Sequence, residues 1–343
     1  MLAGLLALTL VLSGCGGKGD ASASGSGSGN ASGSASGSEP VNVPTAEEVQ
    51  IARKTLEDAV ETLRTTGTLP GFEEVLNLPL GEASYRYDIA DVDGDGRDEV
   101  MLGSCMLDDN GTLLWSSGLG HSDKAYLCKL HPDREGMQVF MVSEPKKEDG
   151  RGVSVVDAAT GKLIWSIGHT TYHVGDGMVT DFDPAHPGLE CFASEDRKGG
   201  STDRYLLTAD GKKLQVAQDE IPGCRNWIWW DADLLRETFK GDNNRWGAGS
   251  SSGGRSQSIW KWKGEILTEN IKGDILLMAD MEGDWREELI TALPGELRIY
   301  RTDIPATDRR VTLMQDALYR SYVAHRSMGY PQAPVPSYYL GDN

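Results

Sequence analysis

The chain has 343 residues, with 33 Lys and Arg against 52 Asp and Glu, a formal net charge of −19. That balance argues against nucleic acid as a partner, because phosphate recognition needs clustered Lys and Arg. Once the N-terminal segments are set aside, about 300 residues remain, enough for one large all-β domain.

Leu2 to Leu12 is an apolar run too short to span a bilayer, and Leu12-Ser-Gly-Cys15 follows it. Small residues ahead of a Cys form the pattern of a bacterial lipoprotein signal, which makes residues 1–15 an address and Cys15 a lipid anchor. The positively charged start usual in such signals is missing. Residues 16–44 are almost entirely Gly, Ser, Ala and Asn, the composition of a tether. The expectation is an exported bacterial lipoprotein, held at a membrane only through Cys15, in the periplasm or at the cell surface. Four further cysteines, Cys105, Cys128, Cys191 and Cys224, are widely spaced with no Cys-x-x-Cys, which argues against zinc. Export permits disulfides, but cysteines beside strand residues read better as small buried side chains.

Residues 45–83 read as a helical lead-in. Thr45 with Glu48 three residues on is a capping pair, and Val49, Ala52, Leu56, Val60 and Leu63 follow at helical spacing. This is the one helix expected. From residue 84 to 343 the pattern changes to short apolar runs broken by turns.

The first acidic loop is Asp91-Val-Asp-Gly-Asp-Gly-Arg-Asp-Glu99. If the backbone curls, Asp91, Asp93, Asp95 and Glu99 converge on one point. A cation must then neutralise them, and oxygen-only ligands favour Ca²⁺. The run begins like a helix–loop–helix calcium loop but has Leu102 where that loop needs Glu. A strand-like run follows at once. The alternative is a polar Asp/Gly turn without metal. Loops of this type begin at Asp91, near Lys129, and at Asp181, Asp231 and Asp280, a spacing of about 50 residues. The last supplies Asp280, Glu282, Asp284 and Glu288, with Trp285 where Gly would ease the turn. The third, one residue longer, supplies Asp181, Asp183 and Glu190. The second has lost most of its acids, and the fourth keeps Asp231 and Asp233. Hairpin signals such as Asp109-Asn-Gly111, Thr160-Gly161 and Ala209-Asp-Gly211 lie downstream. Each unit offers three or four short strands, the size of a propeller blade. The expected fold is all-β, a β-propeller with about five blade-like repeats and calcium loops, preceded by a short helix.

Several short motifs occur in a telling order: Ile89-Ala-Asp-Val-Asp-Gly-Asp-Gly-Arg-Asp-Glu99, Asp108-Asp-Asn-Gly-Thr-Leu-Leu114, Gly118-Leu-Gly-His121, Trp229-Trp-Asp-Ala-Asp-Leu-Leu-Arg-Glu237, Gly283-Asp-Trp-Arg-Glu-Glu288, Leu297-Arg-Ile-Tyr300 and Tyr339-Leu-Gly341. In these the chain resembles the family-11 polysaccharide lyases, the rhamnogalacturonan lyases, over about Tyr85 to Gly341. The resemblance implies part of an eight-bladed, calcium-binding propeller and cleavage of the galacturonate–rhamnose backbone of pectin, an acidic plant polysaccharide, by β-elimination. That chemistry needs the uronate carboxylate neutralised by a cation and a base at C5. By position in the motifs the resemblance makes Lys272 the candidate base, and it gives His121 and Asp123 a catalytic or orienting role. The second His of the latter element falls at Tyr126.

The chain also departs from the family pattern. Asp176 stands between Gly175 and Gly177 where the family places Arg, the Asn-Gly-Thr element has become Glu269-Asn-Ile271, and the Asn-rich tail motif reads Pro331-Gln-Ala-Pro-Val335. Two functions follow: a calcium-dependent lyase, or a catalytically degenerate, calcium-stabilised propeller acting as a glycan-binding or interaction module.

Overall fold

The structure, a computed structural model, describes residues 45–66, 87–196, 201–218, 220–223, 225–240, 256–306, 308–327 and 332–341. The Cys15 segment, the tether and Cys224 lie outside the described residues. Contacts divide the chain into Met1–Leu78 and Pro79–Asn343. In the first unit, helix α1 (Ala46–Thr66) covers the segment with helical spacing. An exposed Lys54–Asp58 pair at 2.9 Å links one turn to the next, worth a few tenths of a kcal/mol. No helix among the described residues is long and apolar enough to cross a membrane.

Among its described residues the second unit has five small antiparallel sheets, each made of strands consecutive in the chain. The first holds β1 (Asp88–Ala90), β2 (Glu99–Met101), β3 (Cys105–Leu107) and β4 (Leu113–Ser116). The second holds β5 (Ser122–Cys128), β6 (Gln138–Ser143), β7 (Val153–Asp157) and β8 (Leu163–Ser166). The third holds β9 (Val174–Thr180), β10 (Glu190–Glu195) and β11 (Arg204–Leu207). The fourth holds β12 (Trp227–Ile228), β13 (Glu237–Lys240), β14 (Ser256–Trp260) and β15 (Ile266–Lys272), and the fifth β16 (Asp274–Ala279), β17 (Glu288–Leu293) and β18 (Glu296–Tyr300). Among the described residues no sheet closes on itself. The acidic loops occupy one place throughout: each joins the first strand of its sheet to the second.

Burial grades across the sheets. Every residue of β6 is buried, so it is covered on both faces, whereas the outer strands β4 and β8 expose Leu113 and Leu163. Neighbouring sheets are joined by a repeated contact. The Trp115 indole N–H donates to the Ala158 carbonyl at 2.7 Å, and the Trp165 N–H to the Ala209 carbonyl at 2.8 Å. Each ring lies against the turn glycine of the next sheet. A Cβ on Gly161 would come within 2.6 Å of Trp115, and one on Gly211 within 2.6 Å of Trp165. Both glycines also have positive φ, 66° and 77°, so close approach and turn geometry both demand the missing side chain. Cys105, Cys128 and Cys191 are buried free thiols.

A second helix, α2 (Ala317–Ser327), follows a 3-10 turn over Leu313–Gln315. Sequence reasoning expected no helix here, so the expectation of a single helix is corrected. Its buried positions, Leu318, Tyr319, Tyr322, His325 and Arg326, do recur with helical spacing. Polar His and Arg among them hide the apolar stripe. Asp316 begins the helix by accepting the Tyr319 N–H at 2.7 Å. From α2, the His325 ring lies 3.8 Å from Asp88 in β1, and the Tyr322 hydroxyl meets the Leu127 N–H and C=O in β5 at 3.0 and 3.2 Å. Arg326 donates to Asn226 beside β12 at 2.5 Å, and Tyr319 accepts the Asp280 N–H at the end of β16 at 3.2 Å. The tail beyond adds the Tyr339 hydroxyl, donated to Asp181 at 2.6 Å in the third sheet's loop. One helix and its tail therefore touch all five sheets.

Candidate functional site

The acidic loops are held by a common device. The acid that opens the second strand turns back and accepts the N–H groups at the start of its loop. Glu99 takes Val92 N–H at 2.7 Å, Glu190 takes Phe182 and Asp183 at 3.1 and 3.2 Å, Glu237 takes Trp230 at 2.9 Å, and Glu288 takes Met281 and Glu282 at 2.8 and 3.0 Å. In the second loop neutral Gln138 does the same for Leu130 and His131 at 3.0 and 3.1 Å. The closing residue is thus a backbone clasp first, whether or not it also binds a cation.

The second oxygens of Glu99 and Glu190 are buried and meet no hydrogen-bond donor. Such an orphan acceptor is costly unless a cation meets it. Burial pushes the carboxyl of Glu190 up to about 8 and that of Asp181 to about 7, and that of Glu237 also to about 8. In the first loop Asp91, Asp93 and Glu99 bring ligand oxygens within 4.8 Å of one another, with Asp108 and Asp109 near Glu99 on the other side. These residues fit a hard divalent ion.

The other loops differ. In the fourth, Asp231, Asp233 and Glu237 converge within 4.8 Å, but Lys261 sets its ammonium 2.6 Å from Asp231 and 2.5 Å from Asp233. Burial opposes that charge, yet the two carboxylates hold the ammonium well above its usual range. In the fifth, Asp280 accepts the N–H groups of Gly283, Asp284 and Trp285, as Asp91 accepts those of Gly94 and Gly96 in the first, and it further accepts the Leu313 N–H and the Thr312 hydroxyl. Glu282 pairs with Arg301 at 3.0 Å and Asp284 with Arg286 at 2.5 Å. In the third, Asp181 accepts the Tyr339 hydroxyl and Asp183 faces His186 at 3.3 Å.

A different cluster forms where the second and third sheets meet. His121 and Glu144 flank the β5–β6 pair, and the Glu144 N–H donates to the His121 carbonyl at 3.1 Å. His173 and Asp196 flank β9–β10 in the equivalent way, with Asp196 N–H on the His173 carbonyl at 2.9 Å. Asp123, from β5, lies between them. The His121 Nε2 is 3.3 Å from Asp123 and 3.5 Å from Glu144, and the His173 Nε2 is 3.0 Å from Glu144 and 3.9 Å from Asp123. The His173 Nδ1 lies 3.2 Å from Asp196, without the geometry of a hydrogen bond. Imidazole and carboxylate alternate around a small quadrilateral. His121, Asp123 and Glu144 alone could hold a metal ion. Burial, then the neighbouring Glu144, raise the Asp123 carboxyl above its ordinary value. The imidazoles are 11% exposed and Glu144 39%, so the cluster is supported from below and open above.

Sequence reasoning singled out His121 and Asp123. It missed Glu144, His173 and Asp196, which stand alone among loop residues and become partners only through strand pairing. Lys272 is exposed at the end of β15. It lies near enough to Glu296 to lower that carboxyl's pKa slightly, after Arg298. Just before it, Asn270 adopts φ 64°, a strained geometry that Asn tolerates better than most residues. Among the described residues no side-chain contact joins Lys272 to His121 or Asp123. Asp176 sits in β9, bound by Arg225 at 2.8 Å.

Comparison with known proteins matches residues 74–343 to the C-terminal domain of rhamnogalacturonan lyase family 11. The chain is similar to the rhamnogalacturonan endolyase YesW of Bacillus subtilis (strain 168), 40% identical over 265 residues, covering 76% of this chain and 40% of the relative. It is 35% identical over 273 residues to the rhamnogalacturonan exolyase YesX of the same organism, covering 76% and 43%. The solved structure of the exotype lyase YesX superposes with a TM-score of 0.65 at 33% identity, over 76% of this chain and 44% of that one. The Bacillus licheniformis rhamnogalacturonan lyase PL11 gives 0.62 at 34%, over 77% and 43%. The chain spans less than half the length of these relatives.

Proposed function

The chain belongs to rhamnogalacturonan lyase family 11, and from that premise we propose that it cleaves the rhamnogalacturonan backbone of pectin by β-elimination with the help of a divalent cation. The observation that carries this reading is the open His121–Asp123–Glu144–His173 cluster, a donor set able to hold an ion beside an acidic sugar. When bound, the cation neutralises the uronate carboxylate and so acidifies the proton at C5. His121, Asp123 and Glu144 would hold it, with the His173 ring set against Glu144 at 3.0 Å. Lys272 is assigned the C5 proton. Exposed at the end of β15, it is open to the bound polysaccharide. The C4–oxygen bond then breaks as the C4–C5 double bond forms, and the departing oxygen takes a proton from water while Lys272 returns its proton to solvent.

The first and third acidic loops are read as structural calcium sites, supported by the orphan oxygens of Glu99 and Glu190; in the fourth, Lys261 supplies the positive charge. The five sheets, each with its loop in the same place, are read as propeller blades. Export as a lipoprotein anchored at Cys15 rests on the Leu12-Ser-Gly-Cys15 pattern, and loss of lipid labelling in C15S tests it.

A second reading, a glycan-binding propeller without catalysis, is favoured by one observation. Asp176 points its charge at Arg225 and spends a cation that could have oriented a polyuronate. The test is ultraviolet absorbance during incubation with rhamnogalacturonan, because the unsaturated uronate forms only by elimination. The lyase reading expects a rising signal in the wild type, none in Glu144→Gln, and a loss of at least about a hundredfold in Lys272→Ala. No signal from folded wild type with intact polysaccharide binding overturns it in favour of the second reading.

A further inference from the structure

A cleft of about 800 Å³ opens between the loop at Asp308–Thr312, the 3-10 turn and the tail at Tyr338–Leu340. None of His121, Asp123, Glu144, His173 or Lys272 lines it. Its walls are fixed from behind. The Trp285 N–H donates to the Asp308 carbonyl at 3.1 Å, Leu313 N–H donates to Asp280 at 2.8 Å, and Arg310 donates to the Leu340 carbonyl at 2.7 Å. Asp316 is committed as well, accepting the Ser337 hydroxyl at 2.5 Å and the Tyr319 N–H.

The groups facing the opening are not committed. Among the described residues the side chains of Arg309 and Gln315 and the hydroxyl of Tyr338 make no hydrogen bond or ion pair. Beside them, Tyr338 is 39% exposed and Val311 62%. A frame that presents an aromatic ring, an aliphatic side chain, an amide, the exposed Asp308 carboxylate and an unspent guanidinium is fitted to a ligand with both an apolar face and polar edges. A sugar ring has both, and its volume lets on the order of two or three rings occupy such a cleft. The guanidinium selects among sugars, because its planar fork matches a carboxylate. In a chain of net charge −19, an uncommitted Arg on a preformed cleft gives an acidic ligand a local point of attraction that the rest of the surface denies it.

We propose that this cleft is a second, non-catalytic binding site for uronate-containing oligosaccharides, with Tyr338 and Val311 under the ring face and Arg309 on the carboxylate. The proposal rests on the reading of pectin as the substrate, and it adds a hold on the polymer away from the His121 cluster.

The test is calorimetric titration of the full chain with trigalacturonate and with an uncharged trisaccharide, for wild type, Arg309→Gln, Tyr338→Ala and, as a charge-loss control away from both sites, the exposed Lys212→Gln, each checked by its melting temperature. The expected result is binding of the acidic trisaccharide, weakened about tenfold or more in R309Q and Y338A, unchanged in K212Q, and weak for the uncharged sugar throughout. If Y338A proves unstable, R309Q alone decides, since Arg309 supports no other described group. Wild-type affinity in R309Q, or an equal loss in K212Q, overturns the cleft. Elimination with no such binding overturns the cleft and leaves the lyase reading intact. Binding at the cleft without elimination keeps the cleft and overturns the lyase. Failure of both removes both.

Discussion

Arg236 is 1% exposed and donates to Glu287 at 2.9 Å, which also accepts the Tyr319 hydroxyl at 2.6 Å and the Trp229 N–H at 3.0 Å. Its guanidinium lies 3.7 Å over the Trp229 ring and reaches the Pro334 carbonyl. Removing one partner of such a pair leaves a charge buried without its counterion, at a cost of about 3–5 kcal/mol. Arg236→Met is therefore expected to lower the denaturant midpoint strongly, and joint replacement with Glu287→Leu to recover part of that loss. The residue scale is also where sequence reading fared worst. Asp91, Asp93 and Glu99 were legible because one loop carries them all. Glu144 and His173 were not, because their meaning depends on which strand ends meet. Lys261 between Asp231 and Asp233 was hidden for the same reason. A charge pattern within one loop says nothing of a cation arriving from another strand.

At the scale of one loop, Trp285 takes a backbone position with φ 72° that glycine would hold without strain. Left-handed geometry costs a non-glycine residue about 1–2 kcal/mol. The indole is fully buried among Trp229, Leu313, Tyr319 and Leu340, and deleting such a side chain costs about 3–5 kcal/mol. The packing wins, so Trp285→Gly is expected to destabilise by about 2–3 kcal/mol in chemical denaturation, although it relieves the turn. Acidity is the second property of the loops. Burial raises Asp181 to about 7 and Glu190 and Glu237 to about 8. A carboxyl whose folded pKa is raised keeps its proton better in the folded state, so stability falls as pH climbs from the unfolded value towards the folded one. In chelator the melting temperature should accordingly be higher at pH 5 than at pH 8. Calcium should narrow that gap, and an equal gap with and without the ion would count against metal at these loops. The loop-to-strand step and the turn glycines were plain in the sequence. The helix at Ala317–Ser327 was not, because its buried face carries His325 and Arg326.

For the molecule as a whole, ions that bind the folded state and not the unfolded one add stability by mass action. Chelation at neutral pH should lower the melting temperature by several degrees, and an unchanged melt by calorimetry would remove the case for structural calcium. The five-fold repeat of acidic loop and hairpin was readable from spacing alone, since each unit repeats the same local signals. What joins the units could not be read that way. The Trp115 and Trp165 contacts cross from one sheet to the next, and α2 with its tail reaches every sheet. The order of synthesis gives that helix a further importance. It leaves the ribosome after the eighteen described strands, so Asp88, Leu127, Asn226 and Asp280 must wait for their partners until it emerges. A chain cut short before Ala317 would carry every sheet and no hub, leaving buried surface open to chaperones and proteases. The loss of one late segment would thus be felt at all five described sheets at once rather than at one end of the array.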